Sequence, residues 1–309
     1  MRIVLVGLGV QGQKRRRIGG TDVVAIVDPV NPDASHKQLD DVPRAHYDAA
    51  LLCTPDDVKV GLMRQLLSAG KHVLVEKPLM GDKPGDLEVL AALASQAGVA
   101  CYTAYNHRFE PNIVRMREVL QSGALGEIYG VRIFYGNGTA RLVRDSAWRD
   151  SGSGVLRDLG SHLLDLVRFL LGDVDPSFDI VAANRFENRA YDHAVLLSRG
   201  PPLIQLEMTL LMWRNHFSCD VLAERGSAHV SSLCKWGTST FVKRTRVFPA
   251  GFPEEETSTV GGPDPTWALE YDHFKKLCHA GGNGLANDIW IDRQLASAMN
   301  RCRAAELER

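Results

Sequence analysis

Apolar positions along the chain follow two rhythms, and the change between them falls near residue 105. Before it, short β-branched and leucine runs at residues 2–6, 23–27, 48–53, 72–75 and 99–104 read as buried strands. Between them, residues 58–69 and 86–97 carry apolar side chains at helical spacing and stop at Gly70 and Gly98. Strand alternating with helix predicts an α/β domain with a doubly wound parallel sheet. Residues 29–47 are polar and proline-containing, too short for a full crossover helix plus strand, so that part of the sheet is expected to be abbreviated.

After residue 105 the rhythm changes. A helix is expected at 111–121, an alternating strand at 128–135, and a largely apolar helix from about residue 153 to 171. Strand candidates then follow one another at 178–183, 194–197, 203–211, 217–222, 227–231 and 240–247, without helices between them. That order predicts an α+β domain with a mostly antiparallel sheet, closed by helices near 267–279 and 288–308. The acidic stretch 254–258 reads as an exposed loop. Residues 1–105 and 106–309 are the expected domains.

Composition narrows the class. The 309 residues are 45% hydrophobic and 24% charged, the ordinary globular range. A formal net charge of −1 gives no pull towards nucleic acid or an anionic membrane. No apolar run approaches bilayer length, and the N-terminus is not a signal peptide. Six scattered cysteines support neither a disulfide framework nor a zinc site, so no metal and a cytoplasmic location are expected.

The first strand runs directly into Gly7-Leu8-Gly9-Val10-Gln11-Gly12. In such a G-x-G-x-x-G turn the first glycine permits the bend, the second lets a pyrophosphate approach, and the third lets the helix pack closely. The helix N-terminus then offers amide donors to phosphate. Asp28 ends the second strand, 21 residues after Gly7, where an acidic side chain accepts from ribose hydroxyls. It argues for NAD. The Lys14-Arg15-Arg16-Arg17 cluster, read mostly as a solvated helix face, keeps NADP open. Thr54 and Pro55, and Glu76 and Lys77, follow later strands at the ends where ligands bind in such sheets, and are further candidate cofactor contacts.

Lys77 precedes Pro78, which restricts it to extended or turn backbone. It is a candidate for holding a substrate hydroxyl, with a plain surface lysine as the alternative. Asp158 and His162 are four residues apart, a spacing that stacks them on one helix face. A carboxylate beside a histidine orients it and raises its basicity, which suits proton transfer. A purely structural pair is the alternative. Before that helix lies a polar loop with Arg141, Arg144, Trp148 and Arg149, residue types that suit carboxylate, phosphate or a sugar face.

Taken together, Gly7 to Gly12, Glu76-Lys77-Pro78, Arg108-Phe109, Trp148-Arg149 with Gly152-Ser153-Gly154, and Asp158-Leu159-Gly160-Ser161-His162 resemble, in this order, the Gfo/Idh/MocA oxidoreductases. The match by motif spans about residues 1–172. The resemblance implies a Rossmann domain followed by an α+β domain with an open sheet, and an NAD(P)-dependent dehydrogenase acting on a sugar, cyclitol or nucleotide sugar. It implies a homodimer or homotetramer formed through the open sheet. Carried over by motif, Lys77, Asp158 and His162 form the catalytic set, and Asn106 and Arg108 join the substrate contacts. Two departures are visible: a short segment after Asp28, and Ser153 within what is usually a glycine triplet. Redox-assisted glycoside cleavage with tightly held NAD, and a non-catalytic dinucleotide sensor, remain as alternatives on the same scaffold.

Overall fold

The computed structural model describes the backbone of residues 1–147 and 149–307, and side chains as far as residue 301. It forms two compact units. One comprises Met1–Asn106 with Thr266–Asp292, the other His107–Pro265 with the chain from Arg293 onward.

The first unit opens with β1 (Ile3–Val6), α1 (Val10–Gly19), β2 (Val23–Val27), β3 (Ala49–Leu52), α2 (Asp56–Ser68), β4 (His72–Glu76), α3 (Asp86–Ala97) and β5 (Cys101–Ala104). All five strands are parallel, in the order β2-β1-β3-β4-β5. Every residue of β1 and β3 is buried, as expected for runs without a polar face. Val4, Leu52, Met63, Leu66, Val75 and Leu90 share one core cluster beneath α2 and α3. Between β2 and β3 the chain makes only two short 3₁₀ turns, Leu39–Asp41 and Arg44–His46. The polar, proline-containing segment therefore crosses without a helix, as its composition predicts.

The second unit contains α4 (Pro111–Gln121), β6 (Ile128–Gly136), α5 (Ala140–Arg144), α6 (Val155–Asp158), α7 (Gly160–Leu171), β7 (Phe178–Asn184), β8 (His193–Ser198), β9 (Leu203–Thr209), β10 (His216–Ala223), β11 (Gly226–Ser231), β12 (Ser239–Thr245) and β13 (Glu254–Val260). The strands form one open sheet in the order β13-β12-β11-β10-β6-β9-β8-β7. Every pairing is antiparallel except β6 with β9. Fully buried Ile133, Leu196, Leu206, Val221 and Phe241 mark the covered face. An α/β Rossmann-type sheet followed by a mostly antiparallel α+β sheet is the architecture that the apolar rhythms predict.

Three local expectations differ from the structure. The polar loop that carries Arg141 and Arg144 begins with a short helix, α5. The acidic stretch from Glu254 is an edge strand, because β12 supplies its counter-charges: Lys243 reaches Glu256 at 2.7 Å and Arg244 reaches Glu255 at 2.9 Å. Hydropathy alone cannot see a strand whose partners are charged. The helix expected over 153–171 is interrupted at Leu159, which separates α6 from α7, so Asp158 and His162 stand on two helices.

The last two helices are α8 (Thr266–Ala280) and α9 (Leu285–Leu307). The linear division at residue 105 groups them with the second half, whereas α8 and the first turns of α9 pack with the first unit. Tyr271 donates to Asp22 at 2.7 Å, and Tyr102 meets His273 edge-on at 5.1 Å. These contacts join residues far apart in sequence, which is why the boundary cannot be read locally. Replacing fully buried Met63 on α2 by alanine is expected to cost about 2–5 kcal/mol, seen as a lower urea midpoint with an unchanged slope.

Candidate functional site

In the first unit the sequence-selected residues gather at the carboxyl ends of the parallel strands. Gly7 has φ +91°, open to glycine, and a Cβ on Gly12 would fall 2.0 Å from the Gly7 carbonyl oxygen. At Gly9 a Cβ would meet nothing within 4 Å, so the turn is open on that side. No side chain caps α1 at Gly9, and its first residues Val10 and Gln11 are exposed. Uncapped amides beside an open glycine suit the pyrophosphate of a dinucleotide.

Asp28 lies beside this turn. Its Oδ2 accepts from the Leu8 backbone N–H at 2.7 Å, and its Oδ1 from Val30 and Asn31 at 2.9 and 2.8 Å. Partial burial works against its charge, but the three amides outweigh burial and hold the carboxyl below its ordinary range. The Asn31 side chain donates back to the Leu8 carbonyl at 3.1 Å, tying the loop after β2 to the glycine turn.

The basic cluster on α1 is not a uniform solvated face, which corrects that expectation. Arg15 is 1% exposed. Its Nε donates to Glu76 at 2.7 Å and its Nη2 to Glu270 at 2.6 Å, while its guanidinium lies 4.3 Å from the Trp267 ring centre. Burial opposes its charge, and Glu270 and then Glu76 more than offset this, raising its proton affinity above the ordinary arginine value. Glu76 is thus bound by the helix that carries the glycine turn. Arg16 and Arg17 lie in the last turn of α1, at the opposite end from that turn.

Glu76 ends β4, and Lys77, partly exposed, follows it with a cis bond to Pro78. Lys59 of α2 underlies this turn. It is 2% exposed, and its ammonium donates to the carbonyls of Glu76 and Pro78 at 2.6 and 2.9 Å. Thr54 lies two residues beyond β3, and its hydroxyl is buried without a protein partner; Pro55 caps α2. Asn106 donates to Thr266 at 2.9 Å.

In the second unit His162 is buried near the start of α7 and stacks on His107, with ring centres 4.1 Å apart and planes at 17°. Tyr135 of β6 lies 6.0 Å from His162, centre to centre, and 5.6 Å from Trp236. Lys235 reaches His107 Nε2 at 2.9 Å and lies 4.6 Å above the Trp236 ring. Burial, with the Asp158 charge second, pushes the Tyr135 phenol above its ordinary range. Asp158 is 3.6 Å from Arg149. Arg108 is engaged by buried Asp165 through Nε at 2.9 Å to both oxygens, a pairing that commits it to α7. Arg141 and Arg144 are exposed on α5, and Arg144 is 4.0 Å from Asp145. Trp148 lies outside the described residues.

Sequence reasoning missed Arg15, Lys59, Tyr135, His107, Lys235 and Trp236. His107 lies between two of the candidates, Asn106 and Arg108. Lys235 and Trp236 gave no signal, since they sit on a 3₁₀ turn 73 residues beyond His162. Among the described residues no group of three or more His, Cys, Asp or Glu side chains could hold a metal, and no helix is long and apolar enough to cross a membrane.

The model of an oxidoreductase family with an NAD-binding Rossmann fold matches residues 1–105, and that of the GFO/IDH/MocA C-terminal domain matches residues 113–229. Inositol 2-dehydrogenase of Rhizobium meliloti (strain 1021) is 30% identical over 139 residues, 45% of this chain and 41% of that protein. The chain spans about half the length of the curated relatives that it matches first. Inositol 2-dehydrogenase 4 of Saccharopolyspora erythraea is 24% identical over 322 residues, 91% of this chain and 92% of that one. The structure of a levoglucosan dehydrogenase, in complex with NADH and levoglucosan, superposes with a TM-score of 0.80 at 17% identity, covering 97% of this chain and 96% of the other, which shows a shared fold.

Replacing Arg15 by methionine would leave two carboxylates buried without their cation. The expected cost is about 3–5 kcal/mol by urea unfolding, and a loss below ~1 kcal/mol would show that the net does not hold the unit together.

Proposed function

The chain belongs to the Gfo/Idh/MocA oxidoreductase family, and we propose that it is an NAD-dependent dehydrogenase acting on a hydroxyl-bearing carbon of a sugar, cyclitol or nucleotide sugar. The observation that carries this reading is the first unit's strand-end constellation: an open glycine turn, an ionised Asp28 beside it, and Lys77 at the end of β4. The inositol dehydrogenases and the levoglucosan dehydrogenase described above support the substrate class.

The dinucleotide supplies hydride acceptance and return. The chain supplies binding, orientation and proton transfer. The glycine turn and the first amides of α1 take the pyrophosphate, and Asp28 takes the ribose hydroxyls of NAD and repels a 2′-phosphate. Lys77 holds the reacting hydroxyl and stabilises the developing oxyanion, while His162 accepts its proton. His107, stacked on His162, restrains the orientation of the imidazole. Asp158, beside Arg149, contacts a neighbouring hydroxyl. Asn106, Arg108, Arg141, Arg144, Trp148 and Arg149 complete the proposed substrate set, with Arg108 acting through Asp165. The proposed cofactor set adds Thr54, Pro55 and Glu76.

Among the described residues the cysteines at 53, 101, 219, 234 and 278 are free, which suits a reducing, cytoplasmic compartment. The open eight-stranded sheet is the proposed surface for a homodimer or homotetramer. Its strands β8 and β10 alternate fully buried with partly exposed positions, leaving one face available.

Alanine at Lys77 or His162 should lower kcat by roughly 10²–10⁴ while leaving NADH binding, followed by energy transfer from tryptophan, nearly intact. Wild-type turnover in both variants would remove the assignment. Net NADH accumulation from a panel of polyols and sugars, in the wild-type protein, separates dehydrogenation from redox-assisted cleavage. Asp28→Ser should shrink the preference for NADH over NADPH by about tenfold or more, since it removes a like-charge repulsion from the 2′-phosphate; an unchanged ratio would move cofactor choice elsewhere.

A further inference from the structure

Lys59 is the most unusual charge in the first unit. It lies on the first turn of α2, is 2% exposed, and has no surface role. An ammonium has three N–H donors. Here all three find acceptors: Asp56 Oδ1 at 2.7 Å, the Glu76 carbonyl at 2.6 Å and the Pro78 carbonyl at 2.9 Å. Burial pushes its proton affinity down, and the nearby charge of Lys77 works in the same direction; Asp56 and Glu76 oppose both. A buried lysine bearing these penalties is weak as a source of stability, because an apolar side chain of the same shape would avoid the desolvation cost. What it does provide is geometric. The two carbonyls it binds bracket Lys77, one on the peptide before it and one on the residue after it.

The same turn is fixed from the other side. The Glu76 carboxylate is bound by Arg15, itself 1% exposed and carried on the helix that follows the glycine turn. Backbone on both sides of Lys77 and the side chain immediately before it are thus held by two buried cations, each with its own countercharge, Asp56 for Lys59 and Glu270 for Arg15. A loop ending a parallel strand ordinarily has no such anchoring.

We propose that Lys59 is a positioning residue: its ammonium fixes the Glu76–Lys77–Pro78 turn so that the Lys77 side chain leaves the turn in one direction. The inference rests on the proposed role of Lys77 in hydride transfer, and it assigns Lys59 no contact with substrate or dinucleotide. A displacement of about 1 Å in a reacting group lowers turnover by about 10²-fold. Loss of Lys59 therefore acts mainly on kcat; the glycine turn and Asp28, which Lys59 does not touch, still hold NADH, so its Kd rises by less than kcat falls, although Glu76 is a proposed cofactor contact.

The test uses the full chain with Lys59→Met, a similar volume without donors, and Met63→Ala as the control. Met63 is fully buried on the same helix, in the core cluster that also holds Val75 and Leu79, and it has no donor to offer the turn carbonyls. Two readouts are taken at one temperature well below the melting of either variant: amide hydrogen exchange of the peptide spanning residues 74–81, and steady-state kinetics with NAD⁺ and a polyol. The expected result is exchange at least tenfold faster in that peptide for Lys59→Met, with kcat about 10–100-fold lower and the NADH Kd changed by less than kcat, while Met63→Ala keeps kcat near wild type and moves that exchange by less. Unchanged exchange would overturn the anchoring, and faster exchange with wild-type kcat would overturn the positioning role. Equal kcat losses in the two variants would reduce Lys59 to a residue that merely stabilises the unit. If the wild-type protein turns over no polyol or sugar, the proposed function fails, and exchange still decides the anchoring on its own. Asp56→Asn, which keeps the lysine and removes its countercharge, is the milder second variant should Lys59→Met not accumulate. It moves both readouts in the same direction by less, and no movement in either overturns the proposal.

Discussion

A contact that admits no side chain sets the geometry of the first unit. The backbone of Gly12 approaches Gly7 so closely that a single added carbon would lie 2.0 Å from a carbonyl oxygen. Only that closeness lets α1 leave β1 tightly and lie against the strand ends. Three residues further along α1, Arg15 is buried and reaches Glu76 at the end of β4. The glycine turn that admits a pyrophosphate and the turn that presents Lys77 are therefore parts of one arrangement, joined by a buried guanidinium. Each end of this chain of contacts depends on the other for its position, and the cost of desolvating Arg15 is met by two carboxylates instead of one.

Two further buried charges are paired in the same manner. Lys59 sits beneath the Lys77 turn with every donor occupied, and Asp165 on α7 receives Arg108. These pairs bring their ends to a fixed separation, since breaking one leaves an unpaired charge out of water. Hydrophobic burial supplies the stability of both sheets, and it is non-directional. Directional pairs decide which way the strand-end turns face. In the second unit the ordering is aromatic: His162 lies flat on His107, Tyr135 stands beside both rings, and Lys235 in turn contacts His107 at Nε2.

Much of the architecture was legible from residue order. Alternating strand and helix periods before residue 105 and successive strands after it are consequences of which faces must be apolar, and they foresaw a parallel sheet followed by a mostly antiparallel one. The abbreviated crossing between β2 and β3 followed from a polar, proline-containing segment too short for a full helix plus strand. Failures came where charge took the place of hydropathy. The strand at Glu254–Val260 was invisible because its partners are the lysine and arginine of β12. Arg15 looked like a solvent-facing cation, and Lys59 drew no notice, because a basic side chain declares its solubility and conceals its partner.

The sequence by itself determined the strand–turn–helix that can receive a dinucleotide and the acidic residue beside it, while the lysine, aspartate and histidine of the proposed chemistry were singled out by their place in motifs that resemble the family's. Those are local facts: a glycine where a side chain cannot fit, an acid at the end of a strand, a proline after a lysine. Tertiary structure alone decided which cations are buried, that Asp158 and His162 belong to two helices parted at Leu159, and that residues from Thr266 to Asp292 complete the first unit. The reason is physical. A hydrogen bond from Lys59 to the Pro78 carbonyl, or from Arg15 to Glu270, spans 19 or 255 positions of chain, and its energy depends on burial that exists only once both partners are packed.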